Sequence, residues 1–118
     1  MNMKSASDVM LGLEEYLNHI RNDYSRWTLQ SPTDVRIRME EEFRKTLHFE
    51  VGSKYIKVIT TSFGGHQRSV HSFICRKSVG KFSAGDILKA AGWTGPARNF
   101  ARGNILDRNF GTISWCGA

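Results

Sequence analysis

Apolar residues recur at steps of three and four through the first part of the chain: Val9, Leu13, Tyr16, Leu17, Ile20, Tyr24 and Trp27. A 3.6-residue period lines them up as one stripe, so an amphipathic helix is expected over 5–27. Ser5 or Ser7 would serve as N-cap, and Asp8, Glu14 and Glu15 suit the positive end, with Arg21 and Arg26 towards the other. Ser31-Pro32 should stop the helix near Trp27, because a proline pushes the residue before it out of helical space.

From Val35 the period changes. Val35, Ile37, Met39, Phe43, Leu47, Phe49 and Val51 fall on odd positions, with Arg36, Arg38, Glu40, Glu42, Arg44, Thr46, His48 and Glu50 between them. Alternation of this kind marks a strand with one wet face. Glu41 and Lys45 interrupt it, which suggests a bulge or bend. The competing reading is a helix through Val35, Met39, Phe43 and Leu47, since Arg, Glu and Met favour helices. Strand is preferred for 43–51, and 34–42 stays open between the two.

Gly52-Ser53-Lys54 then turns the chain into the β-branched run 55–61, making 43–61 a hairpin. Phe63 to His66 reads as a loop and Arg68 to Cys75 as a strand. A longer basic loop follows over 76–84. Asp86 to Ala91 reads as a strand paired back onto 68–75, with a short helix over 84–91 as the alternative. Pro96 and Gly103 suit the first position and the left-handed cap of a helical turn, which would set Arg98 and Arg102 on one face. Gly111 to Cys116 reads as a closing strand. The expected fold is therefore α+β: an N-terminal amphipathic helix packed on an antiparallel meander sheet of about four to five strands. One domain is expected over 1–118, with 34–118 mainly antiparallel β and a Gly/Pro-rich loop at 92–104.

Charge adds a second asymmetry. The net charge is +6. Nine basic residues up to position 62 are balanced by nine acids, whereas 63–118 holds eight basic residues against Asp86 and Asp107. An excess confined to one half points to an anionic partner, nucleic acid or an acidic protein surface, or else to a solvated basic face. No apolar run approaches a membrane span, and no apolar segment follows the N-terminus as a signal peptide would need, so residence inside a cell is expected. Cys75 and Cys116 are expected to be buried thiols rather than a disulfide.

Catalytic chemistry finds little support. His71 and Cys75 lie about 13 Å apart if they share a strand, too far for a nucleophile–base pair. His66, His71, Cys75 and Cys116 match no compact zinc spacing. Gly80-Lys81 lacks the upstream glycine of a phosphate loop, and 85–95 holds no dinucleotide fingerprint. Glu40-Glu41-Glu42 reads as a solvated face. An enzyme would need His71 or His48 gathered with Asp86 in a pocket. No cofactor or metal is expected.

The second half also interleaves Trp93, Phe100, Phe110 and Trp115 with Arg98, Arg102 and Arg108. Cations for phosphates and flat rings for unpaired bases are what a single-stranded nucleic-acid binder needs. On that reading Arg68, Lys89, Arg98, Arg102 and Arg108 contact phosphates, while Trp93 or Phe100 stacks. The competing reading buries Trp93 and Trp115 in the core and pairs Arg102 with Asp86 or Asp107 to pin the loop.

The segments Arg68-Ser-Val-His-Ser-Phe73, Gly85-Asp-Ile-Leu-Lys-Ala-Ala-Gly-Trp93 and Pro96-Ala-Arg-Asn-Phe-Ala-Arg-Gly-Asn-Ile-Leu-Asp107 resemble a family of small bacteriophage proteins. Members from marine cyanobacterial phages are similar also at 52–57 and at Trp115-Cys-Gly117. The resemblance covers roughly 43–117. It implies a phage-encoded protein of unassigned function in the cytoplasm of an infected cell, and it brings no site residues. Two classes of function follow: a non-enzymatic nucleic-acid binder, or a protein-interaction or homo-oligomeric module acting on host or virion proteins.

Overall fold

The structure is a computed structural model and describes residues 6–62 and 67–118. Ser5 and the loop expected over 63–66, with His66 in it, lie outside the described residues. The elements run α1 (Ala6–Gln30), α2 (Asp34–Thr46), β1 (His48–Val51), β2 (Tyr55–Ser62), β3 (Gln67–Cys75), β4 (Asp86–Lys89) and β5 (Gly103–Asn104). The five strands form one antiparallel meander in chain order. The α+β architecture is as the sequence suggested.

The stripe of α1 is the core. Val9, Leu13, Tyr16, Leu17, Ile20 and Tyr24 are buried against Ile56, Val58, Ile74 and Ile87 of the sheet, and Trp27 is partly buried beside them. The helix runs a turn beyond the expected stop, to Gln30, and Ser7 falls inside its first turn. Burying Thr28, whose hydroxyl bonds the Tyr24 carbonyl, holds that extra turn. Gly12 lets α1 approach the turn after β5: a Cβ there would stand 2.7 Å from the Ile105 carbonyl oxygen.

The strand expected from residue 43 begins only at His48; 34–46 is helical. Thr33 caps α2 by accepting from the Arg36 N–H, and Arg44 and Lys45 occupy its last turn. Arg21 of α1 donates to the carbonyls of Arg44 and Leu47, which the helix end leaves without partners. Alternation was therefore shared by two periods, and the caps and the packing of Phe43 against Tyr24 decided between them.

A bulge marks β3. Val58 pairs with Ser72 but Ile59 with Val70, leaving His71 as the extra residue. His71 and Ser72 consequently both turn towards α1. Tyr16 Oη donates to Ser72 Oγ at 2.8 Å, Ser72 to His71 Nδ1 at 2.9 Å, and His71 Nε2–H to the Ser114 carbonyl at 2.9 Å. The chain's last segment is held the same way: His19 donates to the Ile113 carbonyl and Asp23 accepts from the Trp115 N–H. Side chains have taken its backbone groups, so 111–116 is a run of turns with one isolated bridge, Ser114 to Gly117, rather than the expected strand.

The stretch 96–103 is not a helical turn either. It runs alongside β4 as an irregular edge: the Ala97 N–H bonds the Lys89 carbonyl and the Arg102 N–H the Ile87 carbonyl. It ends in β5, whose Asn104 is the true clasp of the loop. Asn104 Oδ1 accepts from the N–H groups of Leu106 and Asp107, and its Nδ2 donates to the Ala84 carbonyl and to Asp86. Gly85, at φ 88°, lets β4 start beside that clasp.

Candidate nucleic-acid interface

Strand alternation divides the sheet into two faces. Ile56, Val58, Ile74 and Ile87 meet the helices; Tyr55, Phe73, Cys75 and Leu88 face away. Among the described residues no helix covers this outer face. Part of it is closed by the irregular chain on either side of β4, 76–85 and 90–102, which supplies Phe82, Ala90 and Ala101 to a second, smaller core. Near β1 the cover gives way to a groove.

The groove, about 280 Å³, is lined by Glu50, Val51, Gly52, Ser53, Lys54, Tyr55, Lys57, Phe73 and Thr94. Trp93, next to Thr94, is 42% exposed. Two cations lie over its ring: Lys57 Nζ at 4.3 Å and the Arg68 guanidinium at 5.2 Å from the centroid. Arg68 is itself oriented from β1, donating to Glu50 Oε2 at 2.8 Å and to His48 Nε2 at 3.2 Å. The Arg68 hydrogen bond holds the Glu50 carboxyl below its ordinary range. Tyr55 keeps its hydroxyl buried, with no hydrogen-bond partner among the described residues. Arg76 braces the β1–β2 turn by donating to the Gly52 carbonyl.

Of the residues singled out in the sequence, Arg68 and Trp93 come together here. Phe100 and Arg102 form a second pair, with the guanidinium 4.0 Å from the ring of a phenylalanine that is 54% exposed. Arg102 Nε is buried without a partner among the described residues, and Asp86, proposed as its mate, instead accepts from the Ser83 N–H and Asn104. Arg98 is exposed on the same stretch. Lys89 is exposed at the end of β4, where alternation sets it opposite Leu88 and so away from the Trp93 face. Arg108, at φ 59°, is a tie to α1: it pairs with Glu15 at 2.5 Å and donates to the carbonyls of Ile105 and Leu106. Of the two tryptophans in the second half of the chain, Trp115 packs among Tyr24, Trp27 and Phe43, while Trp93 stands outside the core.

Sequence reasoning missed Lys54, Tyr55 and Lys57. The signal was present, because the hairpin turn at 52–54 fixes a register that sets Lys57 opposite Glu50, and period two puts Tyr55 and Lys57 on one face.

The groups weighed for catalysis are dispersed. His71 is committed to Ser72 and Ser114, and burial pushes its pKa down. Cys75 is buried on the outer face, its thiol pushed up to about 11 by burial and by Asp86. Cys116 is an exposed thiol rather than a buried one. Among the described residues no three His, Cys, Asp or Glu side chains gather as a metal ion would need. No helix of the described residues is long and apolar enough to cross a membrane.

A family model described as a family of unknown function, DUF7717, matches residues 2–117. No curated protein and no solved structure matches the chain.

Proposed function

The chain belongs to that family of unknown function, and we propose that it is a non-enzymatic protein that binds single-stranded nucleic acid along the outer face of its sheet. The observation that carries this reading is the exposed Trp93 ring with Lys57 and Arg68 over it, at the lip of a groove containing Tyr55 and Lys54. An unpaired base offers a flat face to Trp93, and its phosphates take the cations. Arg98 and the Phe100–Arg102 pair extend the same chemistry along the irregular edge. The likeness of 68–73, 85–93 and 96–107 to small phage proteins supports an accessory role in the cytoplasm of an infected host cell.

Fluorescence anisotropy with short labelled DNA and RNA oligonucleotides tests the reading. Binding is expected to weaken steeply with salt, and Trp93→Ala to weaken it by about 1–3 kcal/mol, roughly 5- to 150-fold. No affinity at low salt sinks the proposal. A second reading rests on the same exposed rings: Trp93 and Phe100 are anchors for a host or virion protein, or for a second copy of the chain. Capture of such a partner that survives nuclease treatment and is lost in Trp93→Ala favours that alternative.

A further inference from the structure

A second concavity lies on the other side of the sheet and has the opposite chemistry. It is a cleft of about 470 Å³, within the range of small-molecule sites. Tyr24, Met39, Glu42 and Phe43 line it from the helices, Thr60, Thr61, Ser69, Val70 and His71 from β2 and β3, and Trp115 and Cys116 from the last segment. No lysine or arginine is among these residues.

Three features of the cleft converge on one kind of occupant. Glu42 lines the cleft, and its Oε1 has no hydrogen-bond partner among the described residues. A carboxylate oxygen kept from both water and donors is costly, so a donor entering the cleft is favoured, and a charged one most. The other polar residue with a fixed geometry, His71, has both ring nitrogens engaged with Ser72 and Ser114, so it does not turn to Glu42. The rest of the lining is rich in apolar and aromatic surface, with Tyr24 4.3 Å from Trp115 and 4.6 Å from Phe43 between ring centroids. Aromatic faces attract organic cations and apolar walls hold a carbon body. Tyr24 is also held above its usual pKa, by burial first and by Glu40 next, with Arg36 opposing.

We propose that this cleft binds a small organic cation, an ammonium group carried on an apolar or aryl body. The ammonium donates to Glu42, and the body lies between Met39 and the Trp115 ring. The site is independent of the outer groove, which is basic and faces the other way.

The test uses the full chain and three probes of equal shape: phenethylammonium, phenethyl alcohol and phenylacetate. Backbone amide shifts of Ser69 to His71 and of Trp115 and Cys116 report occupancy. Phenethylammonium is expected to move them saturably, the alcohol more weakly, and phenylacetate not at all. Glu42→Gln is expected to weaken the ammonium about tenfold or more while leaving the alcohol unchanged, the size of a charge-assisted hydrogen bond. Cys116 at the lip is expected to alkylate more slowly when the ammonium is bound, with Cys75 buried in every sample. Absence of saturable shifts up to about 10 mM overturns the proposal. So does phenylacetate binding as well as the ammonium. If Glu42→Gln disturbs α2, the ranking of the three probes on the unaltered chain decides the matter.

Discussion

Ile87 and Leu88 are consecutive on β4, and both are fully buried, yet they belong to different cores. Ile87 faces α1, where Leu13, Tyr16 and Ile20 close the inner side of the sheet. Leu88 faces Phe73, Cys75 and Phe82, where the cover is the irregular chain on either side of β4, 76–85 and 90–102. The inner cover is a 25-residue helix tied to its surroundings by the Tyr16–Ser72 bond, the Arg108–Glu15 pair and the contacts of His19 and Asp23 with the last segment. The outer cover is tied mainly by Asn104 and by edge bonds to β4. A regular face, helix on sheet, gives the fold its stability; an irregular face presents Trp93, Phe100 and their cations to solvent. Placing the exposed rings on the looser face lets them meet a partner without disturbing the main core.

The sharpest way to break this comparison is to truncate the two neighbours in turn. A buried aliphatic residue cut to alanine destabilises by about 2–5 kcal/mol, and the value depends on how far the site can collapse. Behind Ile87 the helix is held in place, so Ile87→Ala is expected near the upper end, about 4 kcal/mol. Behind Leu88 the irregular cover can settle inwards, so Leu88→Ala is expected near the lower end, about 2 kcal/mol. Urea denaturation measures both, with unchanged slope confirming that the unfolded state is the same. Equal losses would mean that the outer cover is as rigid as the helix.

The same contrast explains what could be read from the sequence. The inner face was legible because its rules are periodic: the stripe from Val9 to Trp27 fixes α1, and β-branched alternation fixes β2 and β3. Around 35–47 two periods fitted the same residues. Thr33 before Asp34 was the capping signal that tips the balance to helix, and it outweighs alternation once Phe43 has Tyr24 to pack on. The outer cover was not legible, because its path is set by single long-range bonds. Pro96 and Gly103 suit a helical turn locally, but the Lys89 and Ile87 carbonyls at the sheet edge claimed the backbone between them. The closing segment likewise lost its strand to the side chains of His19, Asp23 and His71. Of the candidate interface, Arg68 and Trp93 were named from composition, whereas Lys57 required the hairpin register.

A smaller test concerns the inner face alone. Burial holds His71 below its ordinary value of 6.5, against the raising effect of its bond to Ser114, and His19 adds to the lowering. The unfolded chain titrates near 6.5, so below that pH the unfolded state binds a proton that the folded state refuses. Stability is therefore expected to fall as pH drops below about 6.5, with a slope of at most about 1.4 kcal/mol per pH unit from this group, and to be independent of it above neutral pH. His71→Gln, which keeps a donor for the Ser114 carbonyl, is expected to flatten the curve between roughly pH 5 and 6.5. An unchanged slope would place His71 in contact with solvent and open the inner face to the same description as the outer one.

The smallest effect is expected on the outer face, where charge and not packing is at stake. Glu50 occupies Arg68 in a pair that both partners share with solvent, and such pairs contribute little to folding. Its cost is functional, because the carboxylate neutralises a cation beside Trp93. Glu50→Gln is expected to leave the urea midpoint unchanged and to strengthen oligonucleotide binding about two- to threefold at low salt, with a salt slope steeper by about 0.7, the increment for one further phosphate contact on a single strand. Tightening without a change of slope would mean that Arg68 meets a base face rather than a phosphate. Weakening would mean that Glu50 aims Arg68 at its partner, so that the acid belongs to the interface it seemed to oppose.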